Sequence, residues 1–377
     1  MQGLPSVPIP DAPVVTRRDV LRGMAGLGLL ALTGRATHAQ SGPELLAADP
    51  ALARLAAGII GVDMHSHAGG VHYRARPSYN IAERMRRGGL NAACLGHTGD
   101  GPVLRREADG RIAIQYQPAP GELYRHTLER LGFFDALVRD QGLRRMLKPG
   151  DLEAAHKAGE PAIVQAIEGC QFLEGRLERV GELHRRGVRH LQMVHFYRSE
   201  LGDNQTESPS QGGLTAFGRE TIAECNRVGM VVDVAHGTMA FVEQAAAACR
   251  TPLVLSHAPL SAGTPRPLSR AISPQHARLV AQTGGVVGIW TIVGSFRSWS
   301  DWVDGVAWTA DGVGVDHVGI GSDIGGAAKN HLTDYRDFPL VLKLLRERGF
   351  SPEEIGKIVG GNYVRVFNRS TGPGMPR

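Results

Sequence analysis

Short apolar runs rich in valine, isoleucine, leucine and alanine recur along the chain. They begin at residue 59 and return at 90–96, 162–167, 189–194, 230–235, 253–256, 286–290 and 318–321. Runs that are apolar throughout, rather than alternating, mark strands buried on both faces. Between most of them the apolar positions take helical spacing, as at 43–57, 81–87, 177–186, 214–228, 239–248 and 274–282. Alternating strands and helices predict an α/β protein with a parallel sheet, closed as a single (β/α)8 barrel of the TIM type. An open doubly wound sheet is the alternative. No G-x-G-x-x-G opens a helix after the first run, which counts against a dinucleotide-binding version.

The rhythm breaks once, between residues 97 and 160. Residues 104–116, with Asp109-Gly110 at the centre, predict a hairpin, and 121–141 a long helix. An insertion of this size is expected to serve as a lid or an interface.

The first 39 residues do not share the pattern. Thr16-Arg17-Arg18-Asp19-Val20-Leu21-Arg22 is a twin-arginine motif, followed by an apolar stretch and by Thr37-His38-Ala39 at a small-residue cleavage site. That stretch is far shorter than the roughly 20 residues needed to span a bilayer. Residues 1–39 are therefore expected to be a twin-arginine signal peptide and 40–377 the catalytic domain. The twin-arginine machinery would export the chain, folded, to the periplasm or beyond.

Formal charge is +5 over 377 residues, part of it in the leader. The remainder is too weak and dispersed for nucleic-acid binding. The four cysteines form no C-x-x-C and no disulfide framework, and Cys94 and Cys170 are expected as buried thiols. Composition is otherwise that of an ordinary globular protein, for which a homodimer is an allowed assembly.

The chemistry gathers where the strands end. In Asp63-Met64-His65-Ser66-His67 the two histidines stand at i and i+2, so they project to one side. Glu168, His195, His236, His257 and Asp323 each follow a later run. In a barrel these ends converge on one face, where active sites form. Four imidazoles (His65, His67, His236, His257) and a carboxylate exceed one tetrahedral site. Two divalent ions of the zinc class sharing a bridging Glu168 account for all five. A water held between such ions ionises near neutral pH and attacks a carbonyl carbon. Asp323 would carry its proton to the leaving amine, and His195 would stabilise the oxyanion. No G-x-S-x-G elbow or H-E-x-x-H helix offers another hydrolytic route.

These segments resemble the membrane (renal) dipeptidases, binuclear zinc peptidases on a (β/α)8 barrel. The likeness rests on Asp63-Met64-His65, Ala166-Ile167-Glu168-Gly169, Gly187-Val188-Arg189 leading to His195, Asp233-Val234-Ala235-His236, Leu255-Ser256-His257, Gly321-Ser322-Asp323 and Gly360-Gly361-Asn362-Tyr363. The resemblance implies metal ligation by His65, Glu168, His236 and His257, and a proton-carrying Asp323. It also implies His195 at the scissile carbonyl, and Arg270 as a clamp for the carboxylate of a small peptide substrate. The chain departs from the family's H-x-D at His67, and Ile324-Gly325-Gly326 stands where an acidic residue is common. An esterase or lactonase using the same metals, or a metal-binding protein without catalysis, are the competing readings.

Overall fold

The strands form where the apolar runs predict them and assemble into one parallel ring. The computed structural model describes residues 41–70, 79–108, 110–261 and 270–372. The predicted leader, Asp109 of the hairpin turn, and Pro267 to Ser269 before Arg270 lie outside the described residues. The strands are β1 (Val62–Ser66), β2 (Ala92–Thr98), β3 (Leu104–Arg106), β4 (Ile112–Ile114), β5 (Arg144–Arg145), β6 (Ala162–Glu168), β7 (Val188–Gln192), β8 (Val231–Asp233), β9 (Val254–Ala258), β10 (Val286–Trp290) and β11 (Val318–Gly321).

The main sheet runs β1-β2-β6-β7-β8-β9-β10-β11, with every described pairing parallel and β5 added beside β6. The segment after β11 returns to the end of β1. Asp323 N–H donates to the His65 carbonyl at 2.9 Å, and His67 N–H donates to the Ile324 carbonyl at 2.7 Å. An eight-stranded (β/α)8 barrel results. Among the described residues, no helix is long and apolar enough to cross a membrane.

Period-two geometry sorts the strand residues into two packed layers. Val62, Met64, Cys94, Val164, Val231 and Val254 fill the interior with Tyr363 and Phe367 of the final helix Asn362–Thr371. Their neighbours, such as Leu95, Ile163, Val232 and Leu255, pack outward under the helices. Glu168 shares the inward face of Ala162, Val164 and Ala166, which puts its carboxylate at the barrel mouth. Cys94, Cys170 and Cys225 are buried thiols, and none of the four cysteines is in a disulfide.

Two boundaries differ from the pattern. The stretch expected as one helix is two, Gly42–Ala48 and Pro50–Gly58. Pro50 has no N–H to continue the first helix, and the Asp49 side chain caps the second by accepting from Leu52 N–H. The first strand starts at Val62 rather than at residue 59, because Ile59 ends the preceding helix and pairing begins at Val62 opposite Ala92.

Glycines let the last strands close. A Cβ on Gly288 would stand 1.8 Å from the Ser256 carbonyl oxygen, and one on Gly321 2.0 Å from the same atom. Backbone cannot yield as a side chain can. Gly288→Ala should therefore cost about 3 kcal/mol or more of stability in a denaturant titration, at the upper end of overpacking. An unchanged midpoint would show that β9 and β10 can part enough at this point to admit a methyl group.

Candidate metal centre at the barrel mouth

The ends of β1, β6, β7, β8, β9 and β11 deliver polar side chains that gather around Glu168. This carboxylate is 3% exposed. Its Oε1 lies 3.1 Å from His236 Nε2, 3.5 Å from His65 Nε2 and 3.6 Å from His257 Nε2. Its Oε2 lies 3.1 Å from His67 Nε2 and 3.4 Å from His195 Nε2. Asp323 Oδ1 stands 3.6 Å from His67 Nε2 and 3.9 Å from His65 Nε2. All seven sequence-predicted strand-end residues are thus brought together.

Most of these separations are long for hydrogen bonds and suit a shared cation. Around an ion held tetrahedrally at about 2.1 Å, neighbouring ligand atoms lie roughly 3.4 Å apart. In three overlapping groups the ligand atoms all lie within 4.8 Å of one another: His65, His67 and Asp323; His65, Glu168 and His257; and Glu168, His195 and His236. On two of the rings the far nitrogen is held as metal ligands need. His67 Nδ1 is 2.7 Å from the Gly96 carbonyl and His257 Nδ1 is 3.1 Å from Ser256 Oγ. His65 Nε2 is buried with no hydrogen-bond partner. The donor set fits divalent ions.

Backbone strain also collects here. His236 (φ 68°) and Asp323 (φ 53°) are left-handed, a conformation that costs a non-glycine residue about 1–3 kcal/mol and persists where the surroundings enforce it. Gly326 leaves room for the Asp323 carboxylate, since a Cβ there would lie 2.1 Å from Oδ1.

Charge follows geometry. Burial works against ionisation of Glu168, yet the positive character of His195 and His65 holds it well below the usual carboxylate range. Burial, with Arg270 nearby, keeps His236 and His257 well below the usual imidazole value and so neutral. Burial raises Asp323. His67 is also opposed by burial, but its hydrogen bond to Glu168 and the charges of Glu168 and Asp323 push it up to about 9.

Above the cluster lies a cavity of about 380 Å³. Arg270 lines it, 8% exposed, with its guanidinium 5.4 Å from the Trp290 ring, and burial lowers its pKa to about 10. Its Nη2 is 3.4 Å from His257 Nε2, and its Nε has no hydrogen-bond partner. Leu104, Arg111 and Ile112 of the β3–β4 hairpin form part of the wall, so the insertion borders the site. Sequence reasoning missed Asp100, whose Oδ1 is 2.7 Å from His195 Nδ1 while Oδ2 accepts from the Phe196 and Tyr197 N–H groups. Its one signal was its place just after β2. Phe196 and Trp290 were missed because apolar walls look like core.

The profile of the membrane dipeptidase family (peptidase family M19) matches residues 51–371. Dipeptidase aclJ of Aspergillus oryzae is 29% identical over 223 residues, 56% of this chain and 52% of that protein. The chain thus spans about half the length of that relative. Dipeptidase verJ of Clonostachys rogersoniana is 27% identical over 303 residues, 78% of this chain and 76% of its own. The fold matches a metallo peptidase from Rhodobacter sphaeroides solved with a phosphinate mimic of the dipeptide L-Ala-D-Ala. That match has a TM-score of 0.69 and 19% identity, and covers 83% of this chain and 99% of that one.

A cation that takes His67 Nε2 must displace the proton held there up to about pH 9. Below that pH, metal uptake should release a proton, and apparent affinity should fall about tenfold per pH unit as acidity rises. In the metal-free protein the sign reverses. Stability from the charged His67 is fully present below the unfolded pKa of about 6.5 and is lost as pH rises through 9. Calorimetry in buffers of different ionisation enthalpy measures the released proton, and uptake without release would show His67 already neutral.

Proposed function

We propose, from a chain that belongs to the membrane dipeptidase family, that this protein is a metal-dependent dipeptidase, cleaving the amide bond of dipeptides or dipeptide-like molecules. The observation that carries the reading is the buried Glu168 ringed by imidazole Nε2 atoms, with one guanidinium in the cavity above it. We assign two divalent ions, zinc by the nitrogen and oxygen donor set, to His65, His67, Glu168, His236 and His257, with Glu168 common to both. Bound there, such ions supply Lewis acidity, which acidifies a water and polarises the scissile carbonyl.

The chain's own groups do the rest. Asp323, its pKa raised by burial, is suited to take a proton and return it to the leaving amine. His195, oriented by Asp100, donates from Nε2 toward the carbonyl oxygen. Arg270 pairs with the substrate's terminal carboxylate through two parallel hydrogen bonds, a geometry lysine cannot offer. That contact sets the carbonyl over the cluster, and the cavity is of a size for a small peptide.

Arg270 separates this reading from an esterase or lactonase. Arg270→Met should lower kcat/KM roughly tenfold or more for free-acid dipeptides, since a hydrogen bond to a charged group is worth about 1.5–3 kcal/mol. C-terminal amides, with no carboxylate to hold, should change much less. Equal losses on acid and amide would favour the esterase or lactonase.

We further assign residues 1–39 as a twin-arginine leader and 40–377 as the mature domain, exported to the periplasm or beyond. Replacing Arg17 and Arg18 together by lysine should leave full-length precursor in the cytoplasm. Fractionation showing a normal exported yield would sink that assignment.

A further inference from the structure

Two buried aspartates take no part in the chemistry above, yet each grips the backbone that carries ligands. Asp63 Oδ1 accepts from Ser322 N–H at 2.8 Å and from His65 N–H at 3.3 Å. Its Oδ2 accepts from Ser322 Oγ at 2.5 Å and lies 3.0 Å from the Tyr335 hydroxyl, which is 2.6 Å from Ser66 Oγ. Ser322 and Ser66 adjoin Asp323, His65 and His67. Across the barrel, Asp233 Oδ1 accepts from Ala235 N–H at 2.9 Å and from Ser256 N–H at 3.0 Å. Its Oδ2 is 3.0 Å from His190 Nε2, and His190 Nδ1 is 2.9 Å from the Tyr363 hydroxyl. Ala235 and Ser256 immediately precede His236 and His257.

The placement has a physical logic. The two left-handed residues of the cluster, His236 and Asp323, sit where the chain leaves the strand ladder. The amide before each, on Ala235 and on Ser322, therefore needs a partner other than a neighbouring strand. An aspartate supplies it, and its second bond on the same oxygen reaches the adjacent ligand-bearing segment. Among the described residues, the hydrogen bonds of each carboxylate stay within its own half.

We propose that Asp63 and Asp233 are positioning residues that set the two halves of the cluster separately: Asp63 the His65, His67 and Asp323 half, Asp233 the His236 and His257 half. This rests on the reading of these side chains as metal ligands.

Zinc titration of the purified protein against a chromophoric chelator tests it. Asp63→Ala should weaken one ion about tenfold or more, the usual effect of losing a group behind a metal ligand, and leave the other within about twofold. Asp233→Ala should do the same to the other ion. Asp63→Asn and Asp233→Asn keep an acceptor oxygen for the same amides and should recover most of the loss. In a His236→Ala background, which retains the His65 half, Asp63→Ala should still weaken the remaining ion and Asp233→Ala should not. Equal weakening of both ions by one variant, or none by either, overturns the inference. A wild type that takes up one ion overturns the two-ion reading instead; the inference then stands only if that ion answers to one aspartate alone. Should the alanine variants fail to fold, Tyr335→Phe decides. It should weaken only the ion of the Asp63 half, by about threefold or more, since the hydroxyl's contacts with the Asp63 carboxylate and Ser66 are lost while Asp63 keeps both amides. A change in both ions, or in neither, overturns the inference.

Discussion

A carboxylate buried at the mouth of the barrel and encircled by imidazoles is the constraint on which the molecule turns. Removing one charge from water costs several kcal/mol unless neighbours repay it. Glu168 is repaid by rings arriving from β1, β7, β8 and β9, and β9 stands three strands from β6 along the sheet, too far to reach across an open one. Ring closure is therefore a condition of the site as much as of the core. The glycines at 288 and 321 permit the close approach of β9, β10 and β11, and the same approach brings Asp323 against His65 and His67.

Beneath the cluster the interior carries two buried aspartate networks. Asp63 with Ser322 and Tyr335, and Asp233 with His190 and Tyr363, tie strand ends to helices that the apolar layers also pin. Such networks hold side chains to a fraction of an ångström only when each member is satisfied. The strained φ angles at His236 and Asp323 are the other face of that rigidity, since strain persists where packing and hydrogen bonds leave no alternative.

The barrel was legible because strands buried on both faces leave apolar runs too regular to mistake, and because Glu168, His236, His257 and Asp323 follow those runs at once. Convergence then followed from topology alone. What stayed hidden was whatever depends on contacts distant in sequence. Asp100 reads as a turn residue until His195 is seen 2.7 Å from it. The hairpin near residues 104–116 was readable as a hairpin, but not as a wall of the cavity. Asp63 and Asp233 each stand close to a histidine in the sequence, and nothing in that spacing tells a ligand from a group that holds one. The helix break at Pro50 was readable from the residue itself, and the apolar spacing on either side concealed it.

His67 shows how one substitution in a motif redistributes electrostatic cost. An aspartate at this position, as in the family pattern, would add a third carboxylate beside Glu168 and Asp323. The metal-free chain would then bury like charges against each other. Histidine removes that conflict, because it carries a proton up to about pH 9 and pairs with Glu168. The Gly96 carbonyl holds its Nδ1, so the ring points Nε2 at the cluster in either protonation state. The consequence would appear with a cation on His67 Nε2. The proton would have to leave, and the neutral ring would offset one unit less of positive charge than a carboxylate does. The cavity would be left more positive, which would strengthen its attraction for an anionic group. The exchange would ease folding without metal and make metal capture depend on pH.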